Sequence, residues 1–445
     1  MSEVEIEVHD CSHSVQSGWI SQGYFRTMNR PFRLILCALI VLSTHLLWTP
    51  RSAAYSVFTH EELIDLAWNE SIRPVLLARF PGATEEQLRI AHSYAYGGCA
   101  IQDMGYYPFG KKFFSNLTHY VRTGDFIVWM FRNAHNINEL AFAMGALSHY
   151  LGDSIGHSEA INPATAVAFP KLQRKYGSSV TYGESPHGHI RTEFAFDVGE
   201  LTNTEFAPPA YLSHIGFRVP RKFLADAFLN TYGFEVSEVL GPAHPALRSY
   251  ASSVRRFLPL FAEAEIVLHR HHFPPQPDDE AYQQFQDRVK KTNYDRHWKH
   301  TYRGPGFKAH LVAILVFIVP KVGAASDLAI KIPTEETQTK YLRSVNHTES
   351  AFREAIRKLA ADADSASRLT NLDLDTGDAT QRGDYPLADQ AHDGLLHRLT
   401  SKPDRVIPAQ LKRELVNFYA QNSSDPDPSA PVQEELQLLE KMKVR

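Results

Sequence analysis

The stretch SHYLGDSIGHSEAIN, residues 148–162, places three metal-capable side chains at steps of four: His149, Asp153 and His157. Residues four apart on an α-helix lie on the same face, one turn apart. Upstream, apolar residues recur at steps of three and four across 140–151, as on one buried helix face. The stretch is therefore predicted to be a helix that presents two imidazoles and a carboxylate to one cleft.

This set of side chains has the chemistry of a zinc site. Zn²⁺ accepts nitrogen and oxygen ligands at about 2.0–2.2 Å. A carboxylate has two oxygens and can join two metal ions, whereas an imidazole supplies one nitrogen to one ion. Asp153 is thus the predicted bridge if several ions are bound. The alternative is a helix face on which His and Asp side chains only hydrogen-bond to each other.

Other metal-capable residues are spread through the first half of the chain. They occur in FTHEEL, AIQDMGYYPFG, NLTHYV and HIRTE, and they are His60, Asp103, His119, His189 and Glu193. A lone histidine is more often a surface or core residue than a ligand. Together, however, these side chains supply enough ligands for a multinuclear site.

The remaining sequence predicts an all-α protein of ordinary globular composition, with 43% hydrophobic and 22% charged residues. The net charge of −4 provides no basic field for nucleic acid. Helical patterns begin at 57–80, with Thr59 as the predicted N-cap and Glu62 completing a capping box. No convincing series of strands follows. Segment 163–188, which contains Gly, Ser and Pro, is predicted to be a loop.

The N-terminal region resembles an export signal. A basic segment, an apolar core of ten residues and SAA at 52–54 form a signal-peptide pattern over about 28–54. Cleavage after Ala54 would leave Tyr55 as the first residue and predicts a secreted or periplasmic protein. The alternative is an uncleaved N-terminal anchor.

The motifs HYLGD, the downstream His157 and HxxxE at 189–193 resemble the zinc-dependent phospholipase C family, whose superfamily includes the fungal single-strand-specific zinc nucleases. The spacing His-x3-Asp-x3-His is most similar to the catalytic domain of glycosylphosphatidylinositol-specific phospholipase D. That domain also has a Ser/Thr-His pair near its mature N-terminus, as in THEEL, and an Asp-containing loop followed by a His, as in QDMGYYP. The resemblance covers about residues 55–240.

The resemblance implies a trinuclear zinc centre. One zinc would take Asp103, His119, His149 and Asp153, and a second would take His157, His189 and Glu193. The third would share Asp153 and take His60 with the N-terminal amine and carbonyl of Tyr55, so it depends on correct processing. Asp103 would also act in catalysis by orienting or deprotonating the attacking water.

The sequence as a whole is predicted to consist of three parts. Residues 1–54 form the N-terminal extension and signal peptide, and residues 55–340 form a helical domain like that of the zinc-dependent phospholipases C. Residues 341–445 form a helical C-terminal extension with a flexible linker near 422–432. The apolar segment 310–320 is too short to span a bilayer comfortably. It is predicted to be a buried core helix, with a lipid-touching helix as the alternative.

The predicted function is that of an exported zinc phosphodiesterase that hydrolyses phospholipid or lipid-linked phosphodiesters with a zinc-activated water. Aromatic residues near 106–114 would form either an apolar lip that meets lipid or simply core. Peripheral membrane contact is an expected interaction, and nucleic acid is not an expected partner. Two alternatives stay open, a single-strand nuclease of the same superfamily and a non-catalytic zinc-stabilised binding domain. The sequence leaves open the head group, the phosphodiester bond that breaks and the oligomeric state.

Overall fold

The computed structural model of the protein describes residues 56–319, 329–361, 369–420 and 429–445. Regular structure in these residues is helical, which confirms the predicted all-α class. The helices are α1 Val57–Ala67, α2 Arg73–Arg79, α3 Glu85–Gly98, α4 Lys112–Tyr120, α5 Thr123–Asn133, α6 Ile137–Gly156, α7 Asn162–Ala168, α8 Pro170–Tyr176, α9 Pro186–Thr202, α10 Pro209–Ile215, α11 Arg221–Tyr232, α12 Val236–Leu240, α13 Ala243–Ser252, α14 Leu258–His269, α15 Glu280–Val289, α16 Asn293–His297, α17 Phe307–Ile318, α18 Glu335–Ala361, α19 Pro386–Thr400, α20 Ala409–Ala420 and α21 Ala430–Lys441.

Shorter helical turns join several of these helices. The π-helical turns are Trp68–Ile72, His157–Ile161 and Ser253–Phe257, and the 3₁₀ turns are Gln102–Tyr106 and Lys299–Thr301. The predicted signal peptide and most of the predicted linker lie outside the described residues. Among the residues that are described, no helix is both long and apolar enough to cross a membrane.

Helix α6 is the central helix of the fold and contains residues 148–156 of the stretch that predicted the metal site. Asn136 caps it, because its side chain accepts hydrogen bonds from the backbone N–H groups of Asn138 and Glu139. Nearly every residue after Leu140 is buried, against α1, α3, α5 and α18. The predicted ligands on α6 therefore lie inside the protein, where other helices can bring further ligands to them.

Glycines allow α3 and α6 to cross with their backbones in contact. A Cβ added at Gly98 would lie 2.2 Å from the carbonyl oxygen of Phe142, and one added at Gly145 would lie 2.1 Å from that of Ala95. Neither position has room for a side chain. The close crossing also brings the end of α3 to α6, where Cys99 O accepts a hydrogen bond from His149 Nδ1 at 3.0 Å.

We expect Gly98→Ala to destabilise the protein, because the added methyl group would force α3 and α6 apart. Overpacking a tight core position costs about 1–3 kcal/mol. The free energy of unfolding, measured by chemical denaturation, should fall by that amount or more. Gly306→Ala is the control, since a Cβ there would meet nothing within 4 Å. Equal stability of the two variants would contradict the close crossing.

The start of α1 differs from the prediction. The helix begins at Val57, so Thr59 lies within it and is not its N-cap, and the predicted capping box with Glu62 is wrong. Asp197 of α9 caps the helix instead, accepting hydrogen bonds from Phe58 N at 2.9 Å and Thr59 N at 3.1 Å. A carboxylate distant in sequence, and not the predicted capping box, therefore accepts from the N–H groups of the first turn, which have no partner within the helix.

Two other segments also differ from the predictions. Segment 163–188 contains α7 and α8 and is not the predicted loop, because its prolines stand in the first turns of helices, where no N–H is needed. Residues 310–318 of the apolar segment lie in α17, whose buried face against α14 consists of Ala309, Ala313 and Val316. Four large apolar residues of the segment face outward, so the predicted buried core helix is wrong; they are Leu311, Ile314, Phe317 and Ile318.

The C-terminal helices pack directly on the ligand-bearing part of the chain. Helix α18 crosses the predicted boundary at 340/341 and contacts α1 and α6. After α18, Tyr150 OH of α6 donates a hydrogen bond to Thr370 O at 2.7 Å. All described residues belong to one compact unit, Trp48–Arg445. The division of the chain at 340/341 stays a prediction.

Candidate metal centre

Six elements bring the predicted ligands together. Helix α1 carries His60, the 3₁₀ turn Gln102–Tyr106 carries Asp103, α4 carries His119, α6 carries His149 and Asp153, His157 begins the π-turn after α6, and α9 carries His189 and Glu193. All eight side chains are buried, and none is more than 2% exposed. The ninth predicted ligand, Tyr55, lies outside the described residues.

Asp153 stands at the middle of the cluster. Its Oδ1 lies 3.2 Å from His60 Nε2. Its Oδ2 lies 3.0 Å from His149 Nε2 and 3.4 Å from His119 Nε2. Since the two oxygens face different imidazoles, the carboxylate has the arrangement that a bridge between two metal ions requires.

The two imidazoles at Asp153 Oδ2 present lone pairs to each other. His119 Nδ1 donates to Ser115 O at 2.7 Å, and His149 Nδ1 donates to Cys99 O at 3.0 Å. A neutral imidazole that donates from Nδ1 has a bare lone pair at Nε2. The two Nε2 atoms nevertheless lie 3.4 Å apart. Two lone pairs at this distance repel unless a cation lies between them, so the site is built for a proton or a metal ion.

Asp103 lies beside the same two imidazoles, and its Oδ1 is 3.3 Å from His119 Nε2. Two ligands bound at about 2.0–2.1 Å to one tetrahedral Zn²⁺ lie about 3.3–3.4 Å apart. The distances from His119 Nε2 to Asp103 Oδ1 and to His149 Nε2 therefore fit ligands of one zinc ion.

A separate group lies at the end of α6. His157 Nε2 is 3.8 Å from Glu193 Oε1, and His189 Nδ1 contacts the same oxygen. The other ring nitrogens donate to fixed acceptors: His157 Nδ1 to Leu374 O at 2.9 Å and His189 Nε2 to Asn162 Oδ1 at 2.7 Å. These bonds direct the remaining lone pair of each imidazole toward Glu193.

The ligand atoms thus form three candidate metal groups, in each of which the atoms lie within 4.8 Å of one another. They are His60, His149 and Asp153; Asp103, His119 and His149; and His157, His189 and Glu193. Mixed imidazole and carboxylate ligands suit zinc. The residues present therefore fit the predicted metal in chemistry and in spacing.

Protonation favours the ligand-competent forms of four groups in the centre and a protonated form of one, His119. Burial lowers the pKa of His60 and of His157, and lowers that of His189 well below the ordinary value, so these imidazoles are neutral near pH 7. Burial alone would raise the pKa of Asp153, but the surrounding imidazoles hold its pKa well below the usual range. At His119, burial is outweighed by Asp103 and Asp153, which raise its pKa to about 10. The carboxylates therefore attract a cation to this point.

Sequence reasoning missed the residues that hold the ligands in place. They are Asp197, which fixes the start of α1 beside His60, and Asn162 and Leu374, which fix His189 and His157. Asn162 is the last residue of the stretch that predicted the helix, and its position one turn after His157 was the signal available. Nothing in the local sequence of Leu374 pairs it with a histidine 217 residues away.

The aromatic residues near 106–114 are mostly core. Tyr107 and Phe114 are buried, and Tyr106 packs against Tyr182 beside His119. Phe109 alone among the large apolar residues of this segment is markedly exposed, at 58%. The segment therefore covers the metal centre more than it forms a lip.

The fold and the three groups define a class of protein, an all-α protein with a buried centre of histidines and carboxylates suited to metal ions. Within the chain, residues 59–239 match the model of the family described as zinc dependent phospholipase C, which confirms the predicted resemblance over that segment. The match covers less than half of the chain and includes all eight described ligands. No curated protein and no solved structure matches the chain. The family match and the candidate ligand groups support a zinc-dependent phosphodiesterase.

Proposed function

We propose that the protein is an exported zinc phosphodiesterase that holds three zinc ions and hydrolyses phospholipid or lipid-linked phosphodiesters. The observation that carries the proposal is the convergence of eight buried ligands from six elements into groups that include Asp153 and Glu193. Burying that many titratable groups costs free energy unless a partner compensates them. A site that only stabilised the fold would not need so many ligands.

The chemistry follows from the charge of the substrate. Zinc ions held by these ligands would neutralise the charge of the phosphodiester oxygens and supply a water acidic enough to attack near pH 7. Asp103 would orient the attacking water and accept its proton through a carboxylate oxygen. The histidines, held by backbone and amide oxygens behind them, keep the cluster rigid so that little reorganisation is needed during the reaction.

The third ion links activity to export. Its described ligands are His60 and Asp153, and Tyr55 would complete the set with its amine and carbonyl after cleavage. Asp197 supports this, because its hydrogen bonds to Phe58 N and Thr59 N fix the backbone that leads back to Tyr55. N-terminal sequencing of the exported protein should give Tyr55 as the first residue. The uncleaved form should bind one zinc ion fewer by elemental analysis.

The exposed face of helix α17 supports the proposal that the substrate lies in a lipid surface. An apolar stripe on its outer face, defined as Phe307, Leu311, Ile314, Phe317 and Ile318, is 50–84% exposed. Residues 296–319 contain no acidic residue, and the exposed Arg303 and Lys308 flank the stripe. A helix with large apolar residues on one face and basic residues beside it lies in a membrane interface and is attracted to anionic lipid.

We expect the double change Phe307→Ser and Phe317→Ser to weaken binding to vesicles that contain anionic phospholipid. Burying one large apolar side chain contributes about 1.5–3 kcal/mol, so the loss should be at least tenfold. Cosedimentation with vesicles measures it. Hydrolysis of a soluble phosphocholine ester should be unchanged, because the stripe is on the surface and the ligands are buried.

Val406→Ser is the control for this experiment, since Val406 is 44% exposed and lies outside the stripe. It should bind vesicles like the unchanged protein. If the stripe variant also binds vesicles normally, α17 does not dock to lipid.

Turnover tests the proposed function itself. The exported, zinc-loaded protein is offered a chromogenic phosphocholine ester, a glycosylphosphatidylinositol-linked substrate and single-stranded DNA. Hydrolysis of either of the first two supports the proposal, and the released head group shows which phosphodiester bond breaks. Hydrolysis of DNA alone would favour the nuclease alternative. Bound zinc without turnover on any of them would favour a zinc-stabilised binding domain.

A further inference from the structure

One loop of the C-terminal segment reaches the metal centre. This loop, residues 371–378, lies outside the part of the chain that matches the phospholipase family. Leu374 N donates a hydrogen bond to His119 O at 3.1 Å, and Leu374 O accepts one from His157 Nδ1 at 2.9 Å. Asp375 is fully buried and places its Oδ1 3.5 Å from the same nitrogen of His157.

The same loop reaches a second ligand through Asn162. The backbone oxygen of Asp375 accepts a hydrogen bond from Asn162 Nδ2 at 2.8 Å. Asn162 Oδ1 in turn accepts from His189 Nε2 at 2.7 Å. The loop therefore stands behind both histidines of the group that includes Glu193.

The Asp375 carboxylate is itself held in one orientation. Tyr120 OH and Tyr385 OH both donate to its Oδ2, at 2.9 and 2.5 Å. Its backbone N–H donates to Asp373 Oδ1 at 2.9 Å. With Oδ2 engaged by two hydroxyl groups, Oδ1 is turned toward His157.

A glycine allows the loop to pack closely against α6. Gly377 has φ +79°, and a Cβ there would lie 2.3 Å from Ser154 O, one residue after Asp153. Only glycine combines this backbone conformation with this close approach. The position of the loop relative to α6 is thus set by direct backbone packing.

We propose that Asp375 is a positioning residue of the metal centre, which acts through His157 and, by way of Asn162, through His189. The proposal rests on the proposed function in one respect, that these histidines bind zinc. A carboxylate or carbonyl behind a metal-binding imidazole fixes the ring, sets its tautomer and raises its basicity. Here that support comes from the C-terminal extension, so the segment that carries the ligands and the extension form one functional unit.

The test is Asp375→Asn in the full chain. Asparagine keeps an oxygen for the two tyrosines but turns an NH₂ group toward His157 Nδ1, which is also a donor. We expect zinc affinity, measured by competition with a chelator, to fall about 10–100-fold for one ion. The visible absorption spectrum of the cobalt-substituted protein should change as well, because His157 would be reoriented. Asp378→Asn, in the same loop but exposed, is the control and should alter neither readout.

The outcomes separate the two proposals. A variant that folds in its metal-free form like the unchanged protein, but binds zinc more weakly, supports the positioning role. Unchanged affinity and an unchanged cobalt spectrum would overturn it while leaving the zinc enzyme intact. Failure of the unchanged protein to bind zinc would overturn both. If Asp375→Asn does not fold, Tyr385→Phe decides, since it removes one donor to Asp375; weaker zinc binding supports the role and unchanged binding overturns it.

Discussion

Asp153→Asn should lose both zinc and phosphodiesterase activity. The substitution keeps the shape of the side chain but replaces one carboxylate oxygen with an NH₂ group, which cannot bind a metal ion. Both oxygens of Asp153 lie within 3.4 Å of ring nitrogens, so either orientation of the amide places a non-ligating NH₂ group where an oxygen would share a metal ion with at least one imidazole. It also removes a negative charge from a fully buried site that must hold cations.

The effect should exceed that of changing a residue behind the ligands, for which about 10–100-fold is usual. We therefore expect activity to fall by more than about 100-fold, and elemental analysis to find at least one zinc ion fewer per chain. Glu159→Gln is the control, since Glu159 lies on the surface two residues after His157, where it pairs with His347. A variant at position 153 with full zinc content and full turnover would show that the bridging role is wrong.

Removing zinc should also destabilise the fold strongly. The centre buries Asp103, Asp153 and Glu193 with five imidazoles, and without metal these groups lose their compensating charge. A ligand that binds only the folded state stabilises it by about 4 kcal/mol when its free concentration is 1,000 times its Kd. The thermal midpoint of the zinc-loaded protein should therefore fall by several degrees or more after treatment with a strong chelator.

Two controls define this experiment. Zinc added back should restore the midpoint, whereas magnesium, which prefers oxygen ligands, should not. Asp153→Asn should respond less to the chelator than the unchanged protein, because part of its metal is already absent. If chelator does not change the thermal midpoint of the unchanged protein, the buried cluster is satisfied by hydrogen bonds alone.

The helix that carries the site could be predicted from sequence because its signal is local. The steps of four between His149, Asp153 and His157 are fixed by helix geometry, whatever the rest of the chain does. The i, i+4 pair of His189 and Glu193 has the same origin, and the structure brings this pair together with His157. No periodicity links His60, Asp103 and His119 to α6, so the sequence offered them only as separate candidates, and the resemblance to a family assigned them to the centre.

What could not be predicted depends on contacts between distant segments. Asp197 caps α1 from a position 138 residues from Thr59, and the sequence instead offered a local capping motif that the chain does not use. The prolines of segment 163–188 indicated breaks, although proline is equally compatible with the first turn of a helix. The apolar run of α17 indicated burial, because a sequence does not show that its alanines, and not its phenylalanines, face the protein.

Anomalous diffraction at the zinc absorption edge, from crystals of the exported protein, tests the central claim most directly. We predict zinc peaks within about 2.0–2.2 Å of Nε2 or Nδ1 of the five histidines, with Asp153 touching two of them. Peaks elsewhere in the protein, or none among His60, His119, His149 and His189, would contradict the proposed metal centre.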